Sequence, residues 1–345
     1  MKTKQNKGLI CFSVFFYIVF LSLMAIGTVY DLQIDKAVFN PQSGFAHLLE
    51  NFGQFVCWGM WGPALTVIFL CRRDLQGNLT VINRIFPFIK PFKNMESKTY
   101  KVLDFIVKAV LTVGFFVLIV VGWKKLIQNV TKNILFDMGR ENLSQAVYFI
   151  ISAVVAVIGI LVFSRIDKKT LKKLETVALA GALLGIFFKI VEECKPITSR
   201  VRFREMTAYS NGFFNDEGLS EGRYSPLTSE MAKNADFSAF TPWYKIGDDM
   251  GRYSRADSFP SGHTINACMA FLWYILCKAF EKTQKFALPV LALASAYIAV
   301  MGYSRMVAGA HYLTDVVGAA IIGYTMFLIV NSLYDFFIRN DITGD

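Results

Sequence analysis

The sequence predicts an all-α bundle of about eight transmembrane helices, and three observations carry that prediction. Apolar and aromatic residues make up 54% of the 345 residues, charged residues only 18%, and the mean hydropathy is +0.43. A soluble chain of this size needs more polar surface than that leaves. The apolar residues also fall in blocks of about 20, the length a helix needs to cross a hydrocarbon core of roughly 30 Å. Positive charge, finally, gathers in short segments between alternate blocks.

The blocks can be taken in order. Met1 to Lys7 is basic and 9–30 is apolar, a pattern shared with signal peptides. The apolar run is longer than a usual signal core and no small-x-small cleavage site follows, so it reads as an uncleaved first span. Further spans are expected at 50–71, 102–123, 145–164, 174–194, 262–278, 286–303 and 312–335. In lipid the backbone must satisfy its own polar groups, so each span is a helix. The alternating pattern of a transmembrane barrel is absent. Asp104 and Lys108, four apart in the third span, read as an intramembrane ion pair.

The loops set an orientation. Lys2, Lys4 and Lys7 precede the first span. Arg72, Arg73, Arg84, Lys90, Lys93, Lys98 and Lys101 lie between the second and third, Arg165, Lys168, Lys169, Lys172 and Lys173 between the fourth and fifth, and Lys278, Lys282 and Lys285 between the sixth and seventh. These segments share one side, expected to be cytoplasmic with both termini. The net charge of +10 is therefore a membrane signature. No base-reading or stacking module accompanies it, which argues against nucleic acid, and the bilayer is the expected partner. The 195–259 segment is polar, falls on the opposite side, and is far longer than an ordinary connection, which points to function. The six cysteines lie in or beside apolar stretches without paired spacing, so neither disulfides nor a zinc site is implied.

Only three histidines occur, His47, His263 and His311. His47 reads as interfacial. The other two sit at the external ends of hydrophobic segments. His311 and Asp315 are four apart, so on a helix they share a face. A carboxylate on one imidazole nitrogen leaves the other free as nucleophile or base. Pro260-Ser261-Gly262-His263 joins a glycine to a helix start, where backbone N–H groups favour anions. Lys195, Arg200, Arg202 and Arg204 form a basic run on the external side, against the usual charge rule, and guanidinium forks match phosphate oxygens. Near the outer end of the fifth span, Lys189, Glu192 and Glu193 are placed to pair with each other or with this run.

Together, Lys195-x6-Arg202, Pro260-Ser261-Gly262-His263 and Ser304-Arg305-x5-His311-x3-Asp315 resemble the three-part signature of the type 2 phosphatidic acid phosphatase superfamily, with Phe203 where that family usually has proline. The resemblance covers about 189–335. It implies that His311 is the nucleophile, oriented by Asp315, and that His263 is the acid and then the base. It implies that Lys195, Arg202, Ser261, Gly262 and Arg305 hold the phosphate, with no metal and no cofactor. The expected organisation is a four-span module of unassigned role at 1–173 and a catalytic core at 174–345. The expected activity is hydrolysis, at the extracytoplasmic face, of a lipid phosphate such as phosphatidic acid, or of a polyprenyl pyrophosphate, through a phosphohistidine. A transporter or a catalytically silent lipid-phosphate-binding relative is the alternative.

Overall fold

The computed structural model describes residues 2–72, 98–138, 140–213, 227–247 and 256–342. Every regular element among them is helical: α1 (Lys2–Val38), α2 (Gly44–Phe52), α3 (Phe55–Arg72), α4 (Lys98–Asp137), α5 (Gln145–Phe163), α6 (Lys168–Glu193), α7 (Phe203–Ser210), α8 (Ser229–Lys233), α9 (Gly262–Ala267), α10 (Leu272–Ala279), α11 (Ala287–Val307) and α12 (Leu313–Ile342). Arg73, Arg84, Lys90 and Lys93 of the basic loop lie outside the described residues, as do the side chains of Asp104 and Lys108.

Among the described residues, seven stretches are long and apolar enough to cross a membrane: Lys7–Val38, Gly44–Cys71, Ala109–Lys132, Gln145–Phe163, Lys168–Ser210, Gln284–Val307 and Leu313–Phe336. The expected sixth span, 262–278, is helical but broken. A 3-10 segment, Cys268–Phe271, separates α9 from α10, and neither piece alone is long enough to cross.

The chain divides into two compact units, 58–182 on one hand and 1–57 with 183–345 on the other. This division differs from the sequence-based boundary at 173/174, because α1 and α2 join the unit that holds the three polar segments. In the 58–182 unit, α4 and α5 pack as a pair around Ile119, Val120 and Ala156, with Phe69 of α3 in the same cluster. Gly62 permits the close approach of Trp123, since a Cβ there would stand 2.5 Å from the indole.

In the larger unit α1 lies antiparallel to α12. Ser13 bonds Tyr324 and Tyr17 bonds Thr325, each at 2.8 Å, while Asp31 near the far end of α1 reaches Thr314. Stacked rings of Phe16 and Tyr324, 4.1 Å apart, cement the contact. Buried Phe271 and Phe327 extend this core towards α10.

The long polar segment after α6 is built, not loose, wherever it is described. Its Val201, Phe203, Met206, Leu227 and Ala232 form a core with Phe39 and Tyr312. The Phe203 ring lies 5.1 Å from Phe39 and 4.8 Å from Phe237; burying a side chain of this kind contributes about 1.5–3 kcal/mol. Trp243 hydrogen-bonds Thr28 of α1, and the Gly247 N–H bonds the Thr198 carbonyl. These contacts fold the segment over the ends of α1, α9 and α12.

Gly309, between α11 and α12, has φ +63°, and a Cβ there would meet the Phe39 ring at 2.5 Å. Its carbonyl accepts the Arg204 N–H. Gly309→Val should therefore destabilise the protein by about 1–3 kcal/mol. Gly114→Ala, with open space around it, should leave stability unchanged or slightly raised. Thermal unfolding of the two variants in one detergent checks both.

Candidate active site

The three polar segments meet within the larger unit, each delivered by a helix end. After α6, a 3-10 turn, Lys195–Thr198, ends at Ser199, whose φ of +47° reverses the chain. The turn carries Arg200, Arg202 and Arg204 inward, and all three are buried. Phe259 and Pro260 lead into α9, whose N-cap is Ser261. Its Oγ accepts from the Thr264 N–H at 3.4 Å and stands 2.9 Å from the Thr264 hydroxyl. Gly262 follows, and a Cβ on it would sit 3.3 Å from both Lys195 Nζ and Glu192 Oε1. The glycine thus lets the Lys195 ammonium lie against the start of α9.

His311 is 2% exposed, and its Nδ1 lies 2.7 Å from the carbonyl oxygen of Ser258. A carbonyl can only accept, so Nδ1 carries the proton and Nε2 keeps its lone pair. Nε2 has no hydrogen-bond partner among the described residues. Burial pushes the His311 imidazole below its ordinary pKa, against the opposing pull of Asp315. The neutral, nucleophilic form is favoured.

Asp315 stands 3.8 Å from His311 Nδ1, farther than the Ser258 carbonyl. Its Oδ2 accepts from the Ser258 hydroxyl at 2.5 Å and from the Tyr312 N–H at 2.9 Å, and its Oδ1 accepts from Arg200 at 2.5 Å. The Tyr312 bond is half of a capping box at the start of α12. Asp315 therefore acts on His311 chiefly through Ser258, which it holds by the hydroxyl while the imidazole rests on the carbonyl.

His263, half-buried at the second position of α9, has Arg305, Glu50, His311 and Lys195 as electrostatic neighbours. Lys195 and Arg202 share one carboxylate, Asp257, at 3.9 and 2.8 Å. Arg204 and Arg305 share another, Glu50, at 3.8 and 2.9 Å. Arg305 is 1% exposed, and its Nε and NH1 have no hydrogen-bond partner among the described residues. Buried donors of that kind are costly without an acceptor, and a phosphoryl group supplies several. Farther out, Lys189 bonds Glu193 at 2.7 Å and approaches Glu192 at 3.6 Å. Among the described residues no group of three or more His, Cys, Asp or Glu side chains could hold a metal ion.

All eight residues expected from the sequence thus lie in or beside this cluster, but others were missed. Asp31 and Glu50 come from the N-terminal helices, Arg200 from the basic run, and Ser258 acts partly through its backbone. Asp31 had a signal: with Asp35 it places two carboxylates one turn apart at the end of an apolar run.

Residues 169–339 match the family model of the PAP2 superfamily. The chain belongs to that superfamily over this stretch. Phosphatidylglycerophosphatase B of Bacillus subtilis (strain 168) is 35% identical over 75 residues, which cover 21% of this chain and 37% of that protein. The chain thus matches little more than a third of that relative's length. No solved structure matches the chain. Within the PAP2 stretch, Phe203 occupies the first helical position of α7, with Arg202 as N-cap. That position is one that proline can fill because its N–H would be unpaired in any case, and phenylalanine there adds a ring to the core.

Asp257 is 40% exposed and Glu50 13%, so an incoming anion displaces Asp257 more readily. Asp257→Asn should bind orthovanadate roughly three- to tenfold more tightly than wild type, and Arg202→Gln at least tenfold more weakly. Titration calorimetry of the full chain in detergent gives both constants.

Proposed function

We propose that the chain is a membrane phosphatase that removes the terminal phosphate of a lipid-type substrate through a phosphohistidine. The observation that carries this reading is His311, fixed by the Ser258 carbonyl so that Nε2 is the free nitrogen. Nε2 attacks phosphorus, and the bond from phosphorus to the leaving oxygen breaks. Burial and the Arg305 charge lower the His263 pKa; the negative charge of a bound phosphate opposes that and favours the imidazolium, which gives the leaving oxygen its proton and becomes the base. Water then attacks the phosphohistidine, losing its proton to His263. The P–N bond breaks, inorganic phosphate leaves, and His311 regains its lone pair.

Lys195, Arg202, Arg305, the Ser261 hydroxyl and the Gly262 N–H offset the charge on the phosphoryl oxygens. Ser261 fits this role because its oxygen lone pairs serve the cap while its proton is left to donate.

A lipid substrate is supported by two things. The site lies at the ends of apolar helices, so a tail can remain in the bilayer while its phosphate reaches His311. The similarity to a protein named phosphatidylglycerophosphatase B favours a glycerophospholipid phosphomonoester over a polyprenyl pyrophosphate. An extracytoplasmic site is supported by the basic segments between alternate spans, which the positive-inside tendency assigns to the cytoplasmic side.

Phosphate release by the purified full chain, with EDTA present, from phosphatidylglycerophosphate, phosphatidic acid and undecaprenyl pyrophosphate tests the proposal. The first two should be hydrolysed fastest. His311→Ala should abolish turnover, and Asp315→Asn should lower it by about 10²–10⁴-fold. A wild-type rate in His311→Ala, or no release from any substrate, overturns the reading. The lowered pKa of His311 keeps the nucleophile neutral as pH falls. The acid limb of kcat/KM, corrected for the substrate's own ionisation, should accordingly lie below pH ~6.5. A limb at or above that value removes the role given to burial.

A further inference from the structure

We propose that Asp31, in the first helix, is a positioning residue for phosphoryl transfer, acting on His311 through Arg200 and Asp315. The inference rests on His311 being the nucleophile.

Asp31 is 3% exposed, and both its oxygens are spent. Oδ1 accepts the Thr314 N–H at 3.0 Å, one of the otherwise orphaned donors in the first turn of α12. Oδ2 accepts from Arg200 at 2.8 Å and from the Thr314 hydroxyl. Arg200 is spent as well. Its Nε donates to the Thr241 carbonyl, NH1 to Thr314 and Asp315, and NH2 to Asp31, while the guanidinium lies 4.1 Å from the centre of the Tyr312 ring. Fully buried, with all three nitrogens engaged by protein groups, Arg200 is not a phosphate ligand despite its place in the basic run.

The contacts form one relay. Asp31 sets the plane of Arg200, and Arg200 sets one oxygen of Asp315. The other oxygen of Asp315 sets Ser258, whose carbonyl fixes the proton-bearing nitrogen of His311. Asp31 also pins the first turn of α12, which begins two residues after His311. Without it, Arg200 has a single carboxylate to follow, and the imidazole can rotate away from the line of attack. A misplacement of about 1 Å costs on the order of 10²-fold in rate. The effect should fall on the chemical step, because no atom of Asp31 is left to meet the substrate.

Asp35 supplies a control on the same helix. It is the same residue type and fully buried, but its oxygens have no hydrogen-bond partner among the described residues, so it is no part of the relay.

The test measures kcat and KM for phosphatidic acid and the Kd of orthovanadate on the full chain in detergent. Asp31→Asn should lower kcat by about 10–100-fold and leave KM and vanadate affinity within about threefold. Asp35→Asn should change kcat by less than about threefold. In a Ser258→Ala background, which already breaks the relay, Asp31→Asn should cost less than about a further threefold. A wild-type kcat in Asp31→Asn, a loss confined to KM and vanadate binding, or a fully additive loss with Ser258→Ala overturns the proposal.

If Asp31→Asn does not fold, Thr314→Val, which removes the shared hydroxyl without stranding a charge, should lower kcat alone by about three- to tenfold. A wild-type kcat there, beside an unfolded Asp31→Asn, makes Asp31 a folding residue only and sinks the idea. His311→Ala separates the two levels. If it stays active, the phosphohistidine reading fails; if it is dead while Asp31→Asn is not, only the relay fails.

Discussion

The burial of Arg200 between two carboxylates is the constraint on which the rest of the larger unit depends. A guanidinium with no solvent exposure must find acceptors within the protein, and each of its three nitrogens finds at least one, on α1, α12 or the segment after α6. Removing one partner of such an arrangement typically costs about 3–5 kcal/mol, whereas an apolar replacement of the whole is often neutral. Stability alone is therefore a poor account of why the ions are there. Orientation is a better one, since the network joins the start of α12 to the segment that precedes α9. The two histidines are carried by those two starts.

The cations around the candidate site follow a second pattern. Left alone, Lys195, Arg202, Arg204 and Arg305 would repel each other inside a weakly screened interior. Two carboxylates divide them into pairs, Asp257 for the first two and Glu50 for the last two. The division leaves an excess of positive charge near His263 and His311, together with unspent donors on Arg305. On the proposed reading, a phosphoryl group would meet a site already held in shape, and little reorganisation would be required as charge develops on its oxygens.

Much of this was legible in the sequence, for identifiable reasons. Block length and hydropathy give the spans because lipid admits only a few solutions for the backbone. The three segments are legible because their chemistry resides in side chains at fixed spacing. Asp31 was missed because the first apolar run was closed at residue 30, although α1 continues to Val38 as one helix. Arg200 was visible as a charge but not as a structural ion, since only its partners separate it from Arg202. The tautomer of His311 was out of reach in a different way. It depends on the backbone carbonyl of Ser258, a group every residue has, so nothing in the residue's identity announces it. The break at Cys268–Phe271 in the expected sixth span was equally silent, because the hydropathy continues across it.

The helices that sequence reasoning assigned to a separate module are bonded to residues of the candidate site. Asp31 and Thr314 are 283 residues apart, and Glu50 and Arg305 are 255 apart. Both contacts join a residue outside 169–339 to one inside it. The matched stretch contains every group proposed to touch phosphate, yet not the two carboxylates that hold Arg200, Arg204 and Arg305. Expressed alone, that stretch would leave Arg204 and Arg305 without Glu50 and Arg200 with Asp315 as its remaining carboxylate, so the desolvation of these guanidinium groups would be offset less. The candidate site is thus a property of the longer chain: α1 and α2 pack against α11 and α12 and complete it, which ties the N-terminal helices to the placement of His311.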